Sequence, residues 1–230
     1  MKGWLKTSLI DYCDKISSVF FYGGCNFRCA FCQNVDLVLT DNSLPEIDET
    51  KAIDYLEKKK DLYEGVCITG GEPTLQKNLP EIISAIKATG LLVKLDTNGS
   101  NFEMLRHLIE NKLVDYVAMD IKSSIDNYKQ VIPEKYQVTL LENVAKSIHL
   151  LRDEAHVDYE FRSTLYPPFF VEKDLPKIAQ LVNGAGKYYL QQYNSRVTLN
   201  GSKDVRPFKT SEIEEIRDYF KNYVEVCEIR

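Results

Sequence analysis

The sequence lacks the features of membrane, secreted and nucleic-acid-binding proteins. No apolar run approaches the ~20 residues that a membrane span needs. The first six residues, Met1–Lys6, contain no apolar core of a signal peptide. The formal net charge is −5, so no basic surface for nucleic acid or anionic lipid is indicated. We therefore expect a cytoplasmic protein that binds neither nucleic acid nor membrane.

Low-complexity tracts, internal repeats and linkers are also lacking. The 230 residues suit one α/β domain that buries a continuous core. We expect a single domain over 1–230, with its core from about residue 14 to about residue 200. A short N-terminal segment would precede the core, and a helix and strand would extend it at the C-terminal side.

Cysteine is present in an uneven pattern. Cys25, Cys29 and Cys32 form the spacing C-x3-C-x2-C, while Cys13, Cys67 and Cys227 are scattered. In a reducing compartment, clustered cysteines more often bind metal than form disulfides. Three thiolates can hold three corners of a cubane iron–sulfur cluster and leave the fourth iron open for reaction.

Two other interpretations of the cysteine loop are weaker. A structural zinc site needs four N or S ligands, and Cys13 is the only plausible fourth thiolate. The histidines His107, His149 and His156 lie far away in helical or loop segments, where we expect solvated or satisfied side chains. Three unrelated buried cysteines are a poorer interpretation, because polar neighbours such as Arg28 do not suit a core strand.

Apolar runs alternate with helical patterns along the chain. Six runs rich in β-branched and aromatic residues predict buried strands over 16–22, 66–69, 91–96, 116–121, 159–165 and 188–192. An apolar stripe over 79–86 predicts a helix, and capping boxes at Thr139 with Glu142 and at Ser211 with Glu214 predict two more. The alternation predicts βαβ units and a parallel sheet.

Each predicted strand ends in glycine, polar or charged residues that are unusual in a hydrophobic core. These endings are 23–25, 69–73, 96–99, 120–122, 162–164 and 191–192. Polar chemistry at successive strand C-termini is typical of a (β/α) barrel mouth, whereas an open doubly wound sheet concentrates its ligands at one switch point. We therefore expect an α/β fold of the partial (β/α)6 TIM-like barrel type.

The motifs together resemble one family. The cysteine loop, Gly70-Gly71-Glu72-Pro73 after the second strand, Asp96-Thr97-Asn98-Gly99 after the third and Asp120-Ile121-Lys122 after the fourth are similar to those of the radical S-adenosylmethionine (SAM) superfamily. Over nearly its full length, the chain resembles the glycyl-radical-enzyme activating type, and most of all the activating proteins of anaerobic ribonucleoside-triphosphate reductase. The resemblance also implies the partial-barrel core.

The resemblance implies the following cofactors and sites. Cys25, Cys29 and Cys32 would bind one [4Fe-4S] cluster, whose open iron takes the amine and carboxylate of SAM. The SAM-binding set would be Phe31, Gly70, Gly71, Glu72, Asp96, Asn98, Asp120, Lys122, Arg162 and Gln192. Asp96, Thr97 and Asp120 are candidate ligands of a monovalent cation, which prefers oxygen donors. Asp120 and Lys122 are the candidate catalytic residues.

The implied reaction is reductive cleavage of SAM to a 5′-deoxyadenosyl radical, which removes hydrogen from a glycine of a partner protein. The expected partner is a glycyl-radical protein like anaerobic ribonucleotide reductase, and the expected electron donor is a flavodoxin or a ferredoxin-type protein. Two alternatives stay open. One is a radical SAM enzyme acting on a small molecule, like 7-carboxy-7-deazaguanine synthase; the other is an electron-transfer or zinc-binding module.

Overall fold

Strands and amphipathic helices alternate in the computed structural model, which describes residues 1–39, 44–154, 156–196, 198–199 and 205–230. The strands are β1 (Gly3–Ser8), β2 (Ser17–Tyr22), β3 (Gly65–Gly70), β4 (Leu92–Thr97), β5 (Tyr116–Asp120), β6 (Asp158–Leu165), β7 (Lys187–Gln192) and β8 (Val226–Ile229). The α-helices are α1 (Val35–Leu39), α2 (Glu49–Glu57), α3 (Leu79–Ala88), α4 (Phe102–Glu110), α5 (Ile125–Tyr128), α6 (Gln137–His149), α7 (Leu175–Val182) and α8 (Thr210–Phe220). Within the described residues, no helix combines the length and apolarity that a bilayer crossing requires.

The first of two compact units comprises 1–25, 36–97 and 103–117. Its strands follow the order β1-β2-β3-β4. β1 pairs antiparallel to β2, with Gly3 opposite Phe21. β2, β3 and β4 are parallel, with Gly65 of β3 opposite Leu92 of β4. Their C-terminal ends therefore lie at one edge of this part of the sheet.

The second unit comprises 26–35, 98–102 and 118–230. β6, β7 and β8 are parallel, with Tyr188 of β7 opposite Phe161 and Cys227. Ile121, the residue after β5, is hydrogen-bonded to β6: its backbone N–H donates to the carbonyl of Arg162 at 2.7 Å. The parallel strands with intervening helices confirm the predicted α/β class.

The predicted elements are found, with errors at their ends. All six predicted strands form, and the two further strands are β1 and β8 at the sheet edges. The capping box at Thr139 is wrong, because a 3₁₀ turn after Pro133 runs directly into α6, which begins at Gln137. The capping box at Ser211 is also misplaced, since Glu212 accepts from the backbone N–H of Lys209.

The single domain over 1–230 stays a prediction, as does the curvature of the sheet into a partial barrel. The expected C-terminal end of the core, near residue 200, lies outside the described residues.

Helix α3 provides a test of the buried core. Ile83 is fully buried on this helix, whereas Val138 at the start of α6 is 72 % exposed. Replacing Ile83 by Ala removes three methyl or methylene groups from a packed site and should lower the free energy of unfolding by about 2–5 kcal/mol. Val138→Ala should change it by less than about 0.5 kcal/mol. Denaturant unfolding monitored by circular dichroism measures both, and equal effects would contradict the burial of α3.

Candidate functional site

A close backbone approach joins the ends of β2 and β3 in the first unit. The N–H of Gly71 donates to the carbonyl of Tyr22, and the N–H of Glu72 donates to the carbonyl of Gly24, both at 2.8 Å. A Cβ on Gly71 would stand 2.1 Å from the Gly24 oxygen. A Cβ on Gly70 would stand 2.3 Å from the Tyr22 oxygen, and its φ of +126° also favours glycine. The predicted glycine pair therefore holds the chain in place directly before Cys25.

Glu72 is fully buried, and its carboxylate stabilises the turn that follows β3. Its Oε1 accepts from the backbone N–H of Thr74 at 3.2 Å, the Thr74 hydroxyl at 2.5 Å and the Thr97 hydroxyl at 2.7 Å. Charge-assisted bonds of this kind are stronger than neutral ones. The Glu72 side chain therefore has a structural role, because it connects the end of β3 to the end of β4.

Asp96 lies beside a lysine that sequence reasoning missed. The Nζ of Lys94 is 2.8 Å from Asp96 Oδ1, and it also donates to the carbonyl of Asp11 at 2.6 Å. The Lys94 side chain is only 4 % exposed, so the pair is shielded from water. A lysine inside an apolar strand is the signal that could have found it, because a buried ammonium needs an acid nearby.

In the second unit, Asn98 connects two segments. Its Nδ2 donates to Asn26 Oδ1 at 3.1 Å, and its Oδ1 accepts from the backbone N–H of Ser100 at 2.9 Å. The Nδ2 of Asn26 in turn donates to the Ser100 hydroxyl at 2.8 Å. Sequence reasoning missed Asn26 and Ser100. The amide of Asn98 thereby holds the residue that follows Cys25.

A charged group forms after β5. Asp120 Oδ2 accepts from Lys122 Nζ at 2.9 Å, and Asp120 Oδ1 accepts from Arg162 Nε at 3.0 Å. Burial disfavours the Lys122 ammonium, but Asp120 and the thiolates of Cys29 and Cys32 outweigh it and raise the pKa of Lys122 above its ordinary value. The structure thus brings three predicted residues together, namely Asp120, Lys122 and Arg162.

Phe31 lies in an aromatic group. Its ring stacks on Tyr166 with centroids 5.2 Å apart and meets Phe169 edge-on at 5.8 Å. Tyr193 packs against Tyr166 in turn, at 5.1 Å. Only 3 % of Phe31 is exposed, so this packing fixes the ring next to Cys32. Gln192 is exposed at the end of β7, and its amide donates to the carbonyl of Phe208 at 3.2 Å.

The remaining cysteines and histidines behave as ordinary residues. All six cysteines are thiols; Cys67 and Cys227 are buried and Cys13 is exposed. Burial raises the pKa of Cys227 to about 12. The three histidines, His107, His149 and His156, are exposed. Among the residues that the structure describes, no three Cys, His, Asp or Glu side chains gather round a point as ligands of a single metal ion would.

Sequence comparison identifies the family. The radical SAM superfamily profile matches residues 19–181, more than two thirds of the chain. The chain belongs to the radical SAM superfamily. It is therefore an enzyme whose cofactors are a [4Fe-4S] cluster and SAM.

Two relatives bear on the type of radical SAM enzyme. The proposed glycyl-radical enzyme activating enzyme MJ1227 of Methanocaldococcus jannaschii is 34 % identical over 100 % of this chain and 95 % of its own length. The pyruvate formate-lyase-activating enzyme of Listeria monocytogenes is 32 % identical over 60 % of this chain and 58 % of its own length. The family likeness thus extends over the whole chain and includes activating enzymes.

Solved structures share the fold. SuiB of Streptococcus suis bound to precursor peptide SuiA aligns with 92 % of this chain and 48 % of its own, at a TM-score of 0.64 and 11 % identity. TYW1 with a lysine-pyruvate adduct aligns with 90 % of this chain and 72 % of its own, at 0.62 and 16 %. The chain spans about half the length of SuiB. At these identities the likeness concerns the fold alone.

The residues of this chain fit the two cofactors. Cys25, Cys29 and Cys32 supply the three soft thiolate donors that iron–sulfur clusters need. Gly70 and Gly71 let the turn after β3 lie against the backbone of Tyr22 and Gly24, where a side chain could not be accommodated. Lys122 and Arg162 bring an ammonium and a guanidinium group to Asp120, and cations of this kind suit the carboxylate of SAM.

The backbone approach at Gly71 is directly testable. Gly71→Ala should abolish SAM binding and cluster retention, because the new methyl group overlaps the Gly24 carbonyl and pushes the loop from its place. Gly186→Ala is the matched control, since its Cβ would meet nothing closer than Glu225 Oε2 at 3.9 Å. Iron content after anaerobic reconstitution and equilibrium dialysis with SAM measure both variants. Normal binding by Gly71→Ala would contradict the approach.

Proposed function

We propose that this radical SAM enzyme removes one hydrogen atom from a glycine of a partner protein and leaves a glycyl radical there. The observation that carries the proposal is the likeness to MJ1227 along the whole of both chains, at 34 % identity over 100 % of this chain and 95 % of the relative. The partial likeness to a pyruvate formate-lyase-activating enzyme supports the same type. When bound and reduced by one electron, the cluster and SAM supply methionine and a 5′-deoxyadenosyl radical, which accepts the hydrogen as 5′-deoxyadenosine.

In this proposal, the cysteine loop and the turn after β3 bind the cofactors. Cys25, Cys29 and Cys32 would hold the cluster, and the turn at Gly70 and Gly71 would hold the amino group of SAM. Glu72 stabilises that turn, because its buried Oε1 accepts hydrogen bonds from Thr74 and Thr97. Phe31, whose ring packs on Tyr166, would border the adenine pocket.

The charged residues at the later strand ends orient SAM. Lys122 and Arg162, which both pair with Asp120, would bind the SAM carboxylate. Asn98 keeps the turn after β4 in place through Ser100 and Asn26. Gln192, which is exposed at the end of β7, would bind the carboxylate or the ribose of SAM.

Asp96, Thr97 and Asp120 supply the oxygen ligands of a monovalent cation in the same proposal. Each aspartate also has a protein cation beside it: Lys94 stands 2.8 Å from Asp96, and Lys122 stands 2.9 Å from Asp120. A bound cation would therefore share these carboxylates with lysine ammonium groups. Such sharing weakens the attraction of the site for the ion, so a cation would bind with low affinity.

The proposed partner is an anaerobic ribonucleotide reductase-like glycyl-radical protein, and the proposed electron donor is a flavodoxin or ferredoxin-type protein. The test incubates reconstituted enzyme, a reductant and SAM with either a ribonucleotide reductase or a pyruvate formate-lyase in which glycine Cα carries deuterium. We expect deuterium in 5′-deoxyadenosine and a glycyl radical signal by electron paramagnetic resonance with the reductase. Transfer from the lyase alone would overturn the choice of partner, and transfer from neither would overturn the activating role.

The ligand assignment has its own test. Cys29→Ala removes one of three thiolates, so the anaerobically reconstituted variant should lose at least about nine tenths of its bound iron and all SAM cleavage. Cys13→Ala is the matched control, because that cysteine is exposed and lies outside the loop. Iron analysis and visible absorption compare the two. A Cys29→Ala variant with the iron content of Cys13→Ala would contradict the assignment.

A further inference from the structure

Strand β4 of the first unit places a lysine and an aspartate on one face. Residues two apart on a strand point to the same side, so the side chains of Lys94 and Asp96 lie together, whereas Val93 and Leu95 point to the opposite, fully buried side. The Nζ of Lys94 stands 2.8 Å from Asp96 Oδ1, and the two side chains are 4 % and 14 % exposed. Because water and salt screen a shielded pair only weakly, this ammonium acts on its carboxylate more strongly than a surface lysine would.

The turn after β1 holds the same ammonium from a second side. Lys94 Nζ donates to the carbonyl of Asp11 at 2.6 Å. That turn is fixed by its own hydrogen bonds, because the Ser8 hydroxyl donates to Asp11 Oδ2 at 2.5 Å and accepts from the backbone N–H of Asp11 at 3.2 Å. Tyr12, the next residue, is only 5 % exposed. The ammonium therefore lies between a fixed carbonyl and Asp96, and it cannot move away without breaking a shielded hydrogen bond.

Charge balance gives this arrangement a consequence for the site. A carboxylate that is largely shielded from water needs a cation beside it, since an uncompensated buried charge is strongly destabilising. The cation can come from solution or from the chain itself. At Asp96 the chain supplies it, because the Lys94 ammonium already stands at contact distance from Oδ1. An ammonium group and a potassium ion have equal charge and similar size, so each can take the place of the other beside a carboxylate.

We propose that Lys94 is a positioning residue whose ammonium is the built-in counter-ion of Asp96. It fixes this carboxylate for SAM binding and makes a monovalent cation from solution unnecessary beside it. The inference rests on the proposed place of Asp96 in the SAM-binding set. It also gives the low cation affinity argued above a specific cause, namely a lysine side chain already held at the aspartate by the turn after β1.

The first test is the salt dependence of SAM binding by the parent protein. Equilibrium dialysis with SAM uses the anaerobically reconstituted enzyme with an oxidised cluster and no partner protein. The buffers contain potassium, ammonium or tetramethylammonium salts at equal ionic strength. Tetramethylammonium has the same charge but is bulky and donates no hydrogen bond, so it cannot replace a lysine ammonium at Asp96. The parent affinity should be equal in all three salts within about twofold, and a parent that needs potassium would overturn the inference.

The second test removes the ammonium. Lys94→Met keeps an unbranched side chain of similar length, and in tetramethylammonium buffer its affinity for SAM should fall about tenfold, as is typical when a residue that orients a binding group is lost. Potassium or ammonium should restore most of that loss, because a small cation can take the vacated place beside Asp96. General structural damage would not be repaired by a change of salt. Unchanged affinity in Lys94→Met, or weak binding in every salt, would contradict the counter-ion role.

Two further variants locate the effect. Lys87→Met is the matched control: the Nζ of Lys87 stands 2.6 Å from Asp115 Oδ1 in the same unit, so this variant also loses a lysine–aspartate pair, but it should bind SAM like the parent in every salt. The double variant Lys94→Met with Asp96→Asn removes both charges of the inner pair. Potassium should no longer restore its SAM binding, because the carboxylate that would hold the ion is gone. Restoration in the double variant would assign the cation to another site and overturn the inference.

Iron content after reconstitution shows whether the variants remain intact. If Lys94→Met retains less iron than Lys87→Met, Lys94→Gln replaces it, because its amide can still donate to the carbonyl of Asp11 while the charge is gone. The same salt dependence is expected of Lys94→Gln, and its absence there counts equally against the inference. Because neither a reductant nor a glycine substrate is present, these results are independent of the proposed activating reaction, which the deuterium experiment tests separately.

Discussion

The candidate site depends first on the contact between the ends of β2 and β3. Backbone atoms of Gly71 and Gly24 approach so closely that any side chain at Gly71 would overlap a carbonyl oxygen. The two hydrogen bonds across this contact are modest in energy, about 1 kcal/mol each. The steric requirement is what decides the geometry, because a Cβ cannot be accommodated without moving one of the strand ends. The cysteine loop begins one residue later, so its starting direction is determined by glycine backbone.

Charge is the second constraint. Asp96 and Asp120, the two aspartates at strand ends, each lie beside a lysine of the same chain. Asp120 has Arg162 as well, so two cations stand against one carboxylate. Lysine and arginine side chains at these strand ends favour anionic groups, and in the proposed mechanism that group is the carboxylate of SAM.

The sequence was sufficient for the strands and the motif-bearing turns, because their signals are local. Buried strands are visible as apolar runs, and the glycine pair stands directly after one of them. Lys94 and Asn26 escaped prediction because their importance arises from residues distant in the chain: Asp11 and Asn98. Glu72 shows the limit in another way. Its place in the motif predicts a carboxylate that binds the amino group of SAM, and this stays a prediction. Its burial and the three hydrogen bonds to its Oε1 arise from the folded turn and were not predicted.

Fold and substrate are supported by different observations. SuiB and TYW1 share the fold at 11 % and 16 % identity, yet one is seen with a precursor peptide and the other with a lysine-pyruvate adduct. A fold that serves such different ligands cannot identify a substrate. The proposal that the substrate is a glycine of a partner protein therefore depends on sequence likeness along the whole chain. That likeness includes the edge strand β1 and the C-terminal α8 and β8, which lie outside the residues 19–181 matched by the superfamily profile. Selectivity for one glycyl-radical protein over another should accordingly be sought in those peripheral elements, because the cofactor-binding turns are constrained by chemistry that every member shares.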